Sequence, residues 1–402
     1  MKKAREGGDT FLLLELGDAI VGAGEHAKIK MQFFSRALTH MSYDVVGMGD
    51  MEARYVKESG AKSPFGQNIP LISANAVDFQ TGELLGDAPF VIKETPAGLR
   101  VGIISVISES LVHPVLQEKI GVRLIPAQEA IQKYIGDLDR QSDIIVLLSH
   151  TGLESARALA SKFPNIDVIL VGHSGGRQME SFEKVGNTII MVTRATGKWL
   201  GKLVLDITPE KRISGASGEY VAMGSECGED PEMLKLVEEH DADLNRYYSS
   251  LHAAPASSAP TIPQRYEPRE PEPFVSALKC RECHRSQYEA WVQTDHAKAF
   301  ETLRREHKEN DPACASCHMT GFATDLRIQP SMNSRFWGVQ CEACHGPGVR
   351  HVRKPGKGYG VVLESTCRQC HDADRGKNFN FRRDREKVAL CKTAGQANAG
   401  AE

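Results

Sequence analysis

The stretch Cys341-Glu342-Ala343-Cys344-His345-Gly346-Pro347-Gly348-Val349-Arg350-His351 opens with two cysteines three positions apart and a histidine directly after the second. The same CxxCH pattern recurs as Cys280, Cys283 and His284, as Cys314, Cys317 and His318, and as Cys367, Cys370 and His371. Two intervening residues place both thiols on one side of a short turn, where they form thioethers to the vinyls of a heme. The adjacent histidine becomes the proximal iron ligand. Paired CxxC motifs also build zinc ribbons, but a zinc site has no need of a histidine after every pair. Histidine is 14 of 402 residues, so four such coincidences have odds of about one in a million, and the pattern reads as four c-type hemes.

The axial ligands can be counted from the same stretch. From residue 276 onward the histidines are 284, 296, 307, 318, 345, 351 and 371. Four are proximal, which leaves His296, His307 and His351 as distal candidates. His351 follows CHGPG in a loop whose glycines let the backbone turn back over a ring. His296 sits in a helical stretch beside Trp291 and Phe300, while His307 lies among Arg304, Arg305, Glu306 and Lys308, where a solvated histidine is an equal reading. The fourth iron is then five-coordinate, takes Met319 or Met332, or borrows a histidine from elsewhere. An open iron binds small molecules, whereas a six-coordinate one mainly passes electrons.

Away from this module the chain changes character. Its 402 residues suffice for two or three domains, and 41% hydrophobic with 25% charged residues is ordinary for a globular protein. The formal net charge of −3, made more negative by heme propionates, speaks against nucleic acid as a partner. Nine of the ten cysteines fall between Cys280 and Cys391, with Cys227 alone before them. That clustering marks a small module stapled by something other than a large apolar core. No apolar run is long enough to span a membrane. The opening MKKAREGGDT carries two lysines with no apolar stretch behind them. Because c-type heme is attached outside the cytoplasm, an export signal is expected upstream, with a periplasmic or extracellular location and redox proteins, other multiheme cytochromes among them, as partners.

From residue 10 to 207, β-rich runs alternate with helical ones, the signature of an α/β domain. Strands are expected at 11–16, 44–47, 100–106, 143–148, 167–171, 188–192 and 202–206, and amphipathic helices at 25–41, 127–138 and 153–162. The expected domains are 1–230 (α/β), a connecting helix at 231–251, a linker rich in Pro, Ala and Ser at 252–275, and a mostly helical and irregular, heme-packed domain at 276–402. Asp18, Asp50, His150 and His173 each follow an apolar strand, where open α/β sheets gather ligands, and such a donor set suits one divalent metal ion. His26, His40 and His113 read as surface or packing residues, His240 and His252 as solvated, and Cys227 and Cys391 as free thiols or a disulfide.

Two resemblances follow from these residues. The run from Cys280 through CHMTGF to CEACHGPGVRH, over about 278–375, resembles the multiheme cytochrome c-554 family. That likeness implies electron transfer between closely stacked hemes and matches His296 and His351 to distal-ligand positions. It also implies a further histidine in the tail after His371, where this chain has none. The order LELGD, GMGDME, SHTG, GHSG, with RATGKWLGKLVLDI closing the segment, resembles the calcineurin-like metallophosphoesterases, particularly the catalytic domain of 5′-nucleotidases. This implies a layered αββα sandwich over about residues 10–207, here expected to miss its first strand. Asp18 matches a bridging aspartate, and His150 and His173 match ligands of one metal.

Departures from the second pattern bear on activity. The GNHE of the family is here Gly49-Asp50-Met51-Glu52, and Met51 cannot hand a proton to a leaving oxygen. The last ligand of a second metal aligns with Gly175, which has no side chain. The expectation is an electron carrier with a catalytically degenerate phosphoesterase-like domain. The alternatives are a metal-dependent phosphoesterase with an attached redox module, or an oxidoreductase working on a small molecule at an open heme.

Overall fold

The computed structural model describes residues 10–19, 24–66, 68–173, 179–194, 197–224, 227–253, 274–322, 328, 333–356, 359–372 and 378–388. Most of the expected linker at 252–275 lies outside these residues, as do Gly175, Met332, Cys391 and the side chain of His252. The chain divides into two compact units, Met1–His240 and Asp241–Glu402, and the division falls inside the helix Pro231–Ala253.

The strands of the first unit are β1 (Leu14–Glu15), β2 (Val45–Gly47), β3 (Leu71–Ile72), β4 (Ala76–Asp78), β5 (Phe90–Glu94), β6 (Arg100–Ile107), β7 (Val122–Leu124), β8 (Ile144–His150), β9 (Val168–Val171), β10 (Glu183–Val185), β11 (Thr188–Val192), β12 (Trp199–Ile207) and β13 (Ile213–Ala222). A small sheet runs β1-β2-β3, all parallel. A larger one runs β10-β11-β9-β8-β6-β5, parallel at its centre and antiparallel at both edges.

Strand composition explains the layering. In β6 and β8 nearly every residue is apolar and buried, as expected when both faces of a parallel sheet are covered. Alternate side chains then part company. Ile104, Val106, Ile145 and Leu147 pack toward the helices Ala127–Gln141 and Leu153–Lys162. Val101, Ile103, Ile144, Val146 and Leu148 instead meet Leu16, Val45 and Ile72 of the small sheet. The other face of the small sheet, with Val46 and Leu71, packs on the helices Gly24–Met41 and Asp50–Ser59 through Met31, Leu38, Ala53 and Val56. The result is the expected αββα sandwich.

Several strands were not legible. β3, β4, β7 and β10 have two or three residues, too few for alternation to register. The sequence of β13, ISGASGEYVA, is diluted by Gly, Ser and Ala, and it becomes a strand through its ladder with β12 from Trp199↔Ala222 to Ile207↔Ile213. The expected strand at 11–16 enters a ladder only at β1. His240 is not solvated as expected: its ring lies 4.7 Å from that of Phe33, beside the Arg36–Glu239 ion pair that docks its helix on Gly24–Met41.

The second unit is built from short helices: Ala277–Cys280, Arg285–Trp291, Asp295–Arg305, Pro312–His318, Cys341–His345, Val349–Arg353, Glu364–Arg368 and Phe381–Val388. Its apolar cluster gathers Phe300, Leu303, Ala315, Met319, Phe322, Ile328 and Phe336. The helices Arg285–Trp291, Val349–Arg353, Glu364–Arg368 and Phe381–Val388 bury no residue. Helices this short are marginal in water, so contacts beyond their own backbone bonds hold them in place, such as the stacking of Tyr359 on His351 and the bond of Trp291 to Val339.

Leu147, fully buried at the centre of the larger sheet, gives a direct test of the sandwich core. Leu147→Ala is expected to lower the unfolding free energy of the first unit by about 2–5 kcal/mol in a denaturant melt.

Candidate functional site

The parallel strands of the first unit deliver polar residues to one edge. β1 leads into Leu16-Gly17-Asp18, β2 into Met48-Gly49-Asp50, β8 ends at His150, and β9 leads into Gly172-His173. One donor atom from each of Asp18, Asp50, His150 and His173 lies within 4.8 Å of the others. His150 Nε2 is 3.1 Å from Asp18 Oδ2 and 3.8 Å from Asp50 Oδ1, and His173 Nδ1 is 3.8 Å from Asp18 Oδ2. All four residues expected to bind metal therefore meet in one cluster.

The backbone that makes this meeting possible is glycine-dependent. Gly17 has φ of +90°, and a Cβ there would lie 2.7 Å from Gly49 Cα. A Cβ on Gly49 would overlap Asp18 Oδ1 and lie 2.6 Å from Asp18 N. Without side chains, the two loops press together and bring their aspartates side by side. Asp18 itself has φ of 59°, a conformation that is strained for a residue with a Cβ.

Glu52, fully buried, holds the two loops. Its Oε2 accepts from Asp18 N at 2.7 Å and Gly49 N at 3.0 Å, and its Oε1 from Ala19 N at 3.0 Å. Burial, then the charge of Asp18, push its carboxyl up to about 7. Burial and the charge of Asp18 also raise Asp50. In Asp18 burial is outweighed by the hydrogen bond and charge of His150, which hold its pKa low. His150 Nδ1 donates to Leu16 O at 2.9 Å, which leaves Nε2 facing the carboxylates in the tautomer a metal ligand requires. Two crowded carboxylates and two imidazoles fit one divalent cation, whose charge would relieve the Asp18–Asp50 repulsion. Met51 turns away: its side chain packs on the apolar cluster of the small sheet, and only its N–H reaches Asp18 Oδ1, at 3.2 Å.

In the second unit none of the eight motif cysteines is joined to another in a disulfide. Glu342 of the third motif accepts from Val275 N and Ser276 N just before the first motif, so the first and third motifs are neighbours. Two imidazole pairs face one another: His284 and His351 with ring centroids 6.1 Å apart and 22° between planes, and His296 and His371 at 6.0 Å and 44°. Two histidines bound from opposite sides to one metal, with metal–nitrogen bonds of about 2.0–2.1 Å, have centroids about 6 Å apart. Each pair joins a proximal histidine of a CxxCH motif to an expected distal one, so the residues fit six-coordinate heme. Exposed Leu278, Val361 and Leu363 offer apolar surface of the kind a porphyrin covers.

The other two proximal histidines are oriented from behind. His318 Nδ1 lies 2.7 Å from Ala299 O and 3.2 Å from Thr302 Oγ1, and His345 Nδ1 lies 2.7 Å from Gly360 O. Both rings thereby present Nε2 as the free ligand atom. Among the described residues neither faces a histidine. His307 is exposed, with φ of 55° and a carbonyl that accepts from Asn245, and its ring stacks on no proximal histidine. Met319 is 3% exposed and spends its side chain on the apolar cluster.

Several residues that motif reading passed over hold the expected ligands. Tyr359 stacks on His351 at 4.4 Å and 11°, and Phe379 on His371 at 4.7 Å and 11°, which fixes both imidazole planes. Trp291 Nε1 donates to Val339 O at 2.9 Å, and Val339 N to His296 O at 2.8 Å, clasping the His296 helix to the loop before the third motif. Burial and the neighbouring His371 lower the pKa of His296, so its lone pair stays available at neutral pH.

Comparison with known proteins agrees with both resemblances. Residues 279–346 match the sequence family described as cytochrome c554 and c-prime. Cytochrome c-554 of Nitrosomonas europaea is 33% identical over 139 residues, covering 30% of this chain and 57% of that protein. Protein 5NUC of Lutzomyia longipalpis is 25% identical over 272 residues, covering 61% of this chain and 47% of that protein. YunD of Bacillus subtilis, an uncharacterized metallophosphoesterase, is 26% identical over 192 residues, covering 48% and 41%. A solved structure of a sulfate thiohydrolase from Thermus thermophilus superposes with a TM-score of 0.51 at 20% identity, covering 60% of this chain and 44% of that one, which is a likeness of fold. The chain spans about half the length of these curated relatives.

Gly49→Ala tests the loop contact at the carboxylate cluster. Overpacking there is expected to cost about 1–3 kcal/mol of stability in a thermal melt and to weaken Zn²⁺ binding measured by calorimetry.

Proposed function

We propose that this chain is a periplasmic or extracellular electron carrier with four c-type hemes, whose phosphoesterase-like unit keeps a one-metal site and lacks hydrolytic turnover. The observation that carries this reading is the two pairs of facing imidazoles, His284 with His351 and His296 with His371, each at ligand spacing beside a CxxCH motif. Cys280 and Cys283, Cys314 and Cys317, Cys341 and Cys344, and Cys367 and Cys370 would hold the four hemes, with His284, His318, His345 and His371 as proximal ligands. Bound hemes supply one-electron iron chemistry. The protein's part is to hold imidazole planes through Tyr359 and Phe379 and to orient His318 and His345 through backbone carbonyls. Fixed ligands keep the reorganisation that accompanies electron transfer small. The bonding of the first and third motif segments through Glu342 supports electron exchange between the hemes they would hold. Attachment of c-type heme outside the cytoplasm supports the location, and redox proteins are the partners such a carrier serves.

In the first unit, Asp18, Asp50, His150 and His173 would hold one divalent ion. His150 keeps its tautomer by donating to Leu16 O. No histidine stands at position 51 to protonate a leaving group, and this is the ground for reading the site as degenerate. A second reading, small-molecule binding at an open iron, rests on His318 and His345, which face no histidine among the described residues.

Holoprotein is expected to show four hemes per chain by pyridine hemochrome and to undergo reduction in a potentiometric titration. A protein that takes up no heme, or whose hemes are not reduced, ends the reading. His351→Ala and His296→Ala should each convert one low-spin heme to high-spin by EPR, and cyanide binding to the wild-type protein would support the open-iron reading. The metal-loaded full chain is expected to release no phosphate from a nucleoside monophosphate. Turnover that disappears in His150→Ala would make the first unit a hydrolase instead.

A further inference from the structure

Glu342 is the second residue of the third CxxCH motif, a position on which heme attachment places no demand. It is nevertheless 3% exposed. Its carboxylate accepts from Val275 N at 2.9 and 3.1 Å, from Ser276 N at 2.7 Å and from Gly348 N at 2.7 Å. A buried carboxylate is costly unless such donors surround it, and here three backbone amides do. The amides belong to two segments far apart in sequence. Val275 and Ser276 lead into the helix Ala277–Cys280, which ends at the first cysteine of the first motif, four residues before its expected proximal ligand His284. Gly348 leads into the helix Val349–Arg353, which carries His351. One side chain in the third motif thus ties the two chain segments that bear the facing ligands of the first.

We propose that Glu342 is the positioning residue for six-coordination at the first-motif heme. By holding the 348–351 segment against 275–276, it keeps His351 at bonding distance across from His284 and so keeps that iron closed to outside ligands. This rests on the four-heme reading above. Gln340 offers an internal comparison. It is also buried, and its Oε1 accepts from Ala277 N at 2.7 Å while its Nε2 donates to Arg335 O and Trp337 O, yet it bonds to nothing on the His351 segment.

The test uses full-length holoprotein, with cyanide titration and EPR as readouts. Glu342→Gln keeps the side chain's volume but turns one acceptor oxygen into a donor facing amide donors. It should retain four hemes, bind one more cyanide per chain than wild type, and lose one low-spin signal, the same one lost in His351→Ala. Gln340→Ala should leave the cyanide stoichiometry at the wild-type value. A four-heme Glu342→Gln protein with wild-type stoichiometry and low-spin amplitude overturns the proposal, and so does a Gln340→Ala protein that opens the same heme. If Glu342→Gln does not mature, Gly348→Ala decides. Its Cβ would fall 3.1 Å from both Glu342 Oε1 and Val275 Cγ2, pushing the same segment away. Faster cyanide binding at that heme supports the proposal, and an unchanged rate overturns it. Wild-type protein without heme would remove the four-heme reading itself, an outcome separate from either result.

Discussion

The second unit has too little apolar interior to hold eight short helices together. Among the described residues its one apolar cluster is centred on Phe300 and Phe336, and four of the helices bury nothing. Directional bonds therefore carry a large share of its cohesion. This constraint explains why buried polar side chains matter so much here. Glu342 and Gln340 bond backbone amides and carbonyls of separate segments, so that each buried side chain ties parts of the chain far apart in sequence.

The same device recurs in the first unit at a different scale. Glu52 lies two residues after Asp50, as Glu342 lies one residue after Cys341, and each is a buried carboxylate that collects backbone amides from separated segments. In both cases the segments so joined carry side chains expected to be ligands. A carboxylate has lone pairs for several donors at once, which lets one residue set the spacing of two loops. The difference lies in the surroundings. Around Glu52 three apolar clusters supply the bulk of the stability, and the carboxylate only arranges a loop edge. Around Glu342 it is among the main ties.

Much of this was legible from residue patterns alone. Long strands with both faces buried, such as β6 and β8, announce themselves as predominantly apolar runs, and the four CxxCH motifs state their chemistry through spacing. Strands of two or three residues carry no such signal, and β13 is hidden because its Gly, Ser and Ala positions acquire strand character only from pairing with β12. The convergence of Asp18, Asp50, His150 and His173 was readable as a list of strand ends, but the closeness of the two aspartates depends on glycines at 17 and 49 whose bare backbones touch.

The sequence by itself determined which groups do chemistry: thiols paired with histidines, and carboxylates and imidazoles at strand ends, because these follow from side-chain type and local spacing. Only the tertiary structure decided how they pair. It set the His351 ring beside His284 and the His296 ring beside His371, placed His307 at the surface and the Met319 side chain in the apolar cluster, and packed Met51 against the core of the small sheet. Pairing is a property of distance between segments up to 75 residues apart in the chain, such as 296 and 371. Such distances are set by buried hydrogen bonds and packing that have no local signature, as Glu342, Tyr359 and Phe379 illustrate.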